Sequence, residues 1–122
     1  NINLNEASVL NSNKAYLESI ILNLITNSLK FKSENRALEI NITASKIGNI
    51  TTILFSDNGI GIDLKRNRNK VFGLYQRFHN HSDSRGLGLY LVKSQVETMG
   101  GTIEIESEAN KGTTFTLTFK NT

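Results

Sequence analysis

The chain of 122 residues contains no cysteine, which removes disulfides, thiolate zinc sites and cysteine nucleophiles together. That absence agrees with a reducing compartment. Proline is also missing, so no stiff linker divides the chain. No apolar run approaches the length of a membrane span, and no signal-peptide pattern opens the sequence. The formal net charge is only +3, with a pI near 9.3. An excess that small can help to hold phosphates, but it does not point to nucleic acid. Its densest part, "LKRNRNK" at 64–70, has no interleaved aromatics and reads as a solvated helix face.

What remains is an ordinary folded composition, 38% hydrophobic and 20% charged. The length suits one domain over residues 1–122 with a single two-layer core. The chain opens mid-pattern and without Met, as a piece excised from a longer protein would.

Residues 14–32 have helical period, with Leu17, Ile20, Ile21, Leu24 and Phe31 on one apolar stripe. Residues 37–45 alternate strictly and predict a half-buried strand. A second strand follows at 50–56, joined to the first through Gly48-Asn49 as a hairpin. Asp63 can cap a short helix. Residues 71–85 read as irregular, ending in the polar loop "HNHSDSR". "GLGLYLVKSQVETMGG" predicts a helix with Leu89, Val92, Val96 and Met99 on its inner face, stopped by Gly100-Gly101. "TIEIES" and "TTFTLTF" close the chain as a hairpin. Four strands with one apolar face need one covering layer, which two amphipathic helices supply. The expected architecture is an α/β (α+β) two-layer sandwich with a mixed, mostly antiparallel sheet.

Three stretches ask for more than structure. Asn23, Asn27 and Lys30 fall on one narrow stripe that borders the apolar face of the first helix. Surface amides with a snorkelling Lys would explain them. So would an amide oxygen on a hard cation with Lys30 on a phosphate. "SDNGIGID" ends a strand with Asp57 and then gives up side chains at Gly59 and Gly61, as a tight turn or as a close approach to the backbone. "RGLGLYLVK" places Gly86 and Gly88 at a helix start, where free N–H groups and the dipole favour an anion. In this order the three supply a metal and phosphate ligand set, a base-reading acid, and a phosphate nest under a lid.

The same stretches resemble the boxes of a known family. "LESIILNLITNSLKF" resembles the N box of sensor histidine kinases, "DNGIGI" the G1 box, "VFGLYQRFH" the F box and "RGLGLYLVK" the G2 box. "GGTIEIESEANKGTTFTLTF" resembles the sheet-closing end of the same catalytic, ATP-binding domain. The likeness spans nearly the whole chain, in the family's order, within the superfamily that includes gyrase, the heat-shock chaperone ATPases and MutL. It implies the Bergerat-type ATP-binding fold, with ATP and Mg2+ as cofactors. Asp57 would read the adenine amino group, with Gly59, Gly61 and Ile62 passing close to the nucleotide. Asn27 would ligate magnesium, with Asn23 near the phosphates and Lys30 on one of them. Phe72 and Phe78 would anchor the lid, and Arg77 would meet the γ-phosphate. Arg85, Gly86, Leu87, Gly88 and Leu89 would form the phosphate-facing lid end, and Thr113 or Thr114 would support Asp57 through water.

The resemblance departs at Ser84, where the G2 box usually has its first glycine, and a stiffer lid is expected. The lid between Phe78 and Gly86 is short, which favours a histidine kinase over its longer-lidded relatives. The implied activity is transfer of the γ-phosphate to a histidine on a separate helical dimerisation domain, and from there to a response regulator. That domain normally precedes this one in the family, so the chain is expected to be a piece excised from behind it. The resemblance implies a cytoplasmic, monomeric module without nucleic-acid or membrane contact, in a parent that can be anchored in the inner membrane. Two other readings compete: a nucleotide-binding module without transfer, and an anti-sigma-type Ser/Thr kinase. A zinc reading of His79, His81 and Asp83 has no fourth ligand.

Overall fold

The structure, a computed structural model, describes residues 2–3, 14–62 and 86–120, with side chains over 14–62 and 89–120. Its elements are β1 (Ile2–Asn3), α1 (Lys14–Lys30), β2 (Ile40–Ile47), β3 (Ile50–Asp57), α2 (Gly86–Thr98), β4 (Thr102–Glu108) and β5 (Gly112–Lys120). They build one five-stranded sheet in the order β1-β2-β3-β5-β4. Pairing is antiparallel except for β1, which runs parallel to β2 through Ile2 and Asn3. The expected α/β sandwich is present, with this two-residue edge strand added. β2 begins at Ile40 rather than at Ala37, because Ala37 and Glu39 bond to the side chain of Asn58 instead.

Alternation sorts the sheet's two faces. Ile42, Ile53, Phe55, Phe115, Leu117, Phe119 and Ile105 are buried on one of them. The two helices cover that face with Ile20 and Leu24 from α1 and Leu89, Val92 and Val96 from α2. Cross-strand register stacks the core: Phe55 lies opposite Phe115, Ile53 opposite Leu117, and Ile105 opposite Phe115 on its other side.

Turn chemistry sets the register. Ile47 pairs with Ile50 across Gly48-Asn49, and Gly48 takes φ +60 at the first central position while Asn49 stays at negative φ. The α2 C-terminus closes as a Schellman motif, with the Gly101 N–H donating to the Val96 carbonyl and the Gly100 N–H to Glu97, both at 2.9 Å. The topology therefore brings the C-terminal end of the central strand β3, the start of β5 and the last turn of α1 to one edge of the core.

Candidate functional site

At that edge lies a small, solvent-open recess lined by Asn27, Phe31, Asp57, Gly61, Ile62 and Thr113. Asp57 is the last residue of β3 and sits in register with Thr113 on β5. Its carboxylate is held at both oxygens. The Ser28 hydroxyl donates to Oδ2 at 2.7 Å, and the Gly59 N–H donates to Oδ1 at 2.9 Å. Asn27, one residue earlier on the last full turn of α1, is only 6% exposed. Its Oδ1 is buried and has no hydrogen-bond partner among the described residues. A buried amide oxygen left open in this way asks for a ligand, because an unmade bond there carries the full desolvation penalty. The surface-amide explanation thus fails for Asn27.

The loop after Asp57 is stitched on every side. The Ile60 N–H donates to the Phe31 carbonyl at 2.9 Å, which ties the loop to the end of α1. The Asn110 N–H donates to the Ile60 carbonyl at 2.6 Å, which ties it to the β4–β5 turn. Asn58 uses both ends of its amide, accepting from the Glu39 N–H at 2.8 Å and donating to the Ala37 carbonyl at 2.9 Å. Arg36 spans the two segments: Nε donates to the Asn58 carbonyl at 2.7 Å, and Nη2 to Gly59 at 2.8 Å and to Asn110 at 2.9 Å. Ser107 on β4 accepts from the Ile62 N–H at 2.7 Å. A loop with its backbone so occupied holds Asp57 in a fixed place.

The two glycines meet a demand from within the chain itself. A Cβ on Gly59 would stand 2.6 Å from the Phe31 carbonyl oxygen and 3.1 Å from Asp57 Oδ1. A Cβ on Gly61, where φ is +74, would run into the Glu108 carbonyl, with its carbon at 2.8 Å. The chain's own backbone makes the close approach at both positions. Gly61 and Ile62 nonetheless line the recess, and Ile62 is 3% exposed within the core.

Other expected site residues separate. Thr113 is buried in the recess, whereas Thr114 occupies the alternate position of β5 and points to the opposite face of the sheet. Asn23 and Lys30 are half-buried on α1 and do not line the recess. Leu89, expected at the phosphate-facing lid end, is fully buried in the core, because its place on the helical stripe with Val92 and Val96 turns it inward. Gly86, Leu87 and Gly88 form the first turn of α2. Phe72, Arg77, Phe78, Ser84 and Arg85 lie outside the described residues, as do Asp63, the basic run at 64–70, and His79, His81 and Asp83.

Ser28, Arg36, Asn58 and Ser107 were not anticipated. Two of them carried a signal. Ser28 continues the apolar spacing of Ile20 and Leu24, and Ser107 continues the alternation of Ile103 and Ile105, so each is a hydroxyl at a core position that needs a partner. Chemically the recess offers oxygen acceptors to a donor edge, beside a neutral oxygen of the kind a hard cation takes.

A family model described as "Histidine kinase-, DNA gyrase B-, and HSP90-like ATPase" matches residues 12–122. The heme sensor protein HssS of Staphylococcus saprophyticus is 35% identical over 94% of this chain and 24% of its own length. The sensor protein RprX of Bacteroides fragilis is 36% identical over 89% of this chain and 22% of its own. The chain thus spans about a quarter of these relatives. A crystal structure of full-length ShkA in complex with AMPPNP aligns with TM-score 0.71 and 28% identity over 88% of this chain and 22% of that one. The mycobacterial sensor histidine kinase MprB aligns with TM-score 0.73 and 22% identity over 87% of this chain and 72% of that one, a likeness of fold.

Proposed function

The chain belongs to the histidine kinase-, DNA gyrase B- and HSP90-like ATPases, with relatives named as sensor proteins and histidine protein kinases, and on that premise we propose that it binds Mg-ATP and transfers the γ-phosphate to a histidine on a separate helical dimerisation domain. One observation carries the reading: a carboxylate held at both oxygens opens onto the same recess as the buried Asn27 Oδ1, which has no partner among the described residues. Asp57 would accept from the amino group of the base. Asn27 would hold the magnesium ion, which when bound neutralises phosphate charge. Lys30 and Asn23, about one turn from Asn27 on α1, would serve the phosphate side. Phe72, Phe78 and Arg85 are proposed for the lid, and Arg77 for the γ-phosphate, on the resemblance of their boxes.

Positioning and charge neutralisation suffice for phosphoryl transfer, so the chain needs no nucleophile of its own. The acceptor histidine, and a response regulator beyond it, belong to partners. No described helix is long and apolar enough to cross a membrane.

Calorimetric titration of ATP with and without magnesium tests the site. Saturable binding is expected, lost in Asp57→Asn and stripped of its magnesium dependence in Asn27→Ala. Unchanged binding in Asp57→Asn would sink the assignment. Labelled ATP with a cognate helical domain added in trans tests the transfer, where acid-labile phosphohistidine on that partner is expected. Binding without phosphohistidine would make the chain a nucleotide-binding module alone.

A further inference from the structure

Ser107 stands beside Ile62, Gly112 and Thr113 with one hydroxyl among three polar groups. Its Oγ donates to the Gly112 carbonyl at 2.7 Å, accepts from the Ile62 N–H at 2.7 Å, and lies 2.8 Å from Thr113 Oγ1. A serine hydroxyl has one proton and two acceptor positions. The proton goes to Gly112 and one acceptor position to Ile62. The remaining contact is therefore a bond that Thr113 donates. Ser107 takes the Thr113 proton and turns it away from the recess.

The consequence falls on the recess. Thr113 lies opposite Asp57 in the sheet register, and both line the same space. The Asp57 carboxylate offers only lone pairs, and so does Thr113 once its proton is committed to Ser107. An amine satisfies such a surface. A carbonyl oxygen meets acceptors on both sides and loses the bonds it made in water. We infer that Ser107 is a positioning residue for base specificity: by orienting the Thr113 hydroxyl it makes the site select 6-aminopurine over 6-oxopurine nucleotides. The inference rests on the nucleotide reading above and extends it to a residue that would not touch the ligand.

The test is titration of ATP and of inosine triphosphate, which carries a 6-oxo group in place of the amine, into the full chain. Wild type, Ser107→Ala, Thr113→Val and the double variant are compared, and thermal melts establish that each is folded. Wild type is expected to prefer ATP. In Ser107→Ala the ATP-to-inosine preference should fall about tenfold, since the freed Thr113 hydroxyl can turn its proton toward a 6-oxo group. In the Thr113→Val background Ser107→Ala should leave the preference unchanged, because the proton it oriented is gone. Equal weakening toward both nucleotides in Ser107→Ala would show a merely structural role and overturn the inference. A further loss of preference in the Thr113→Val background would overturn it as well. If the wild-type chain binds neither nucleotide, the nucleotide reading falls and takes this inference with it. Should Ser107→Ala not fold, Ser107→Cys is measured in its place. Its sulfur is a weak acceptor that releases the same proton, so the same loss of preference is expected.

Discussion

Three glycine-to-alanine substitutions separate two physical demands that glycine meets, and decide whether the loop after Asp57 is shaped for a ligand or for its own chain. Gly48 takes φ +60 with nothing within 4 Å of where a Cβ would stand, so Gly48→Ala tests backbone conformation alone. Gly59 has no positive φ, but its Cβ would stand 2.6 Å from the Phe31 carbonyl oxygen, so Gly59→Ala tests crowding alone. Gly61 combines φ +74 with a collision against Glu108, whose carbonyl carbon would lie 2.8 Å away. A left-handed conformation costs an L-residue about 1 to 2 kcal/mol. Forced crowding in a packed region costs about 1 to 3 kcal/mol. Gly48→Ala should therefore lose about 1 kcal/mol and Gly59→Ala about 2. Gly61→Ala should lose about 3 kcal/mol or more, since backbone on backbone cannot yield as a flexible side chain does. For 122 residues the unfolding entropy is about 0.26 kcal/mol/K, so each kcal/mol lowers Tm by about 4 °C. Melts of the nucleotide-free chain should fall by about 4, 8 and 12 °C in that order. Were the glycines there for a ligand, Gly61→Ala would melt with wild type while ATP affinity collapsed. That result would refute the argument from the chain's own backbone.

Arg36→Ala removes three donated bonds from an exposed guanidinium that water partly replaces, so a loss of about 1 to 2 kcal/mol is expected in thermal melts. Arg36→Lys should recover less than half of it, because one ammonium cannot span carbonyls on both segments as the planar fork does. Full rescue by Lys would show that charge alone matters there. Leu89→Ala should cost about 2 to 5 kcal/mol in urea unfolding and leave the ATP affinity of the folded fraction unchanged. The reverse pattern would restore Leu89 to the lid.

Much of the fold was legible because burial leaves a period in the sequence. The stripe of Ile20, Leu24 and Phe31, the helix face of Leu89, Val92 and Val96, and the alternation through Phe115, Leu117 and Phe119 all appear as buried sets. The two-residue strand β1 left no such period, since it is too short to show one. The same rule could have chosen between Thr113 and Thr114, because Thr113 shares the parity of the buried phenylalanines.

Local pattern thus determined the elements, the single covered sheet face, and the identity of Asp57 and Asn27 as polar residues out of keeping with their surroundings. Arg36 shows what local pattern leaves out. It lies between a helix and a strand, with no periodic neighbour, and its partners are carbonyls 22, 23 and 74 residues away. Ser28 and Asp57, 29 residues apart, meet only because α1 ends against the tip of β3. Glycine at 61 is likewise dictated by Glu108, a residue of a different hairpin. Periodicity reports which face of an element avoids water, a property of each segment by itself. Hydrogen bonds and close backbone approach depend on which segments the sheet order brings together, and that was decided in the tertiary structure.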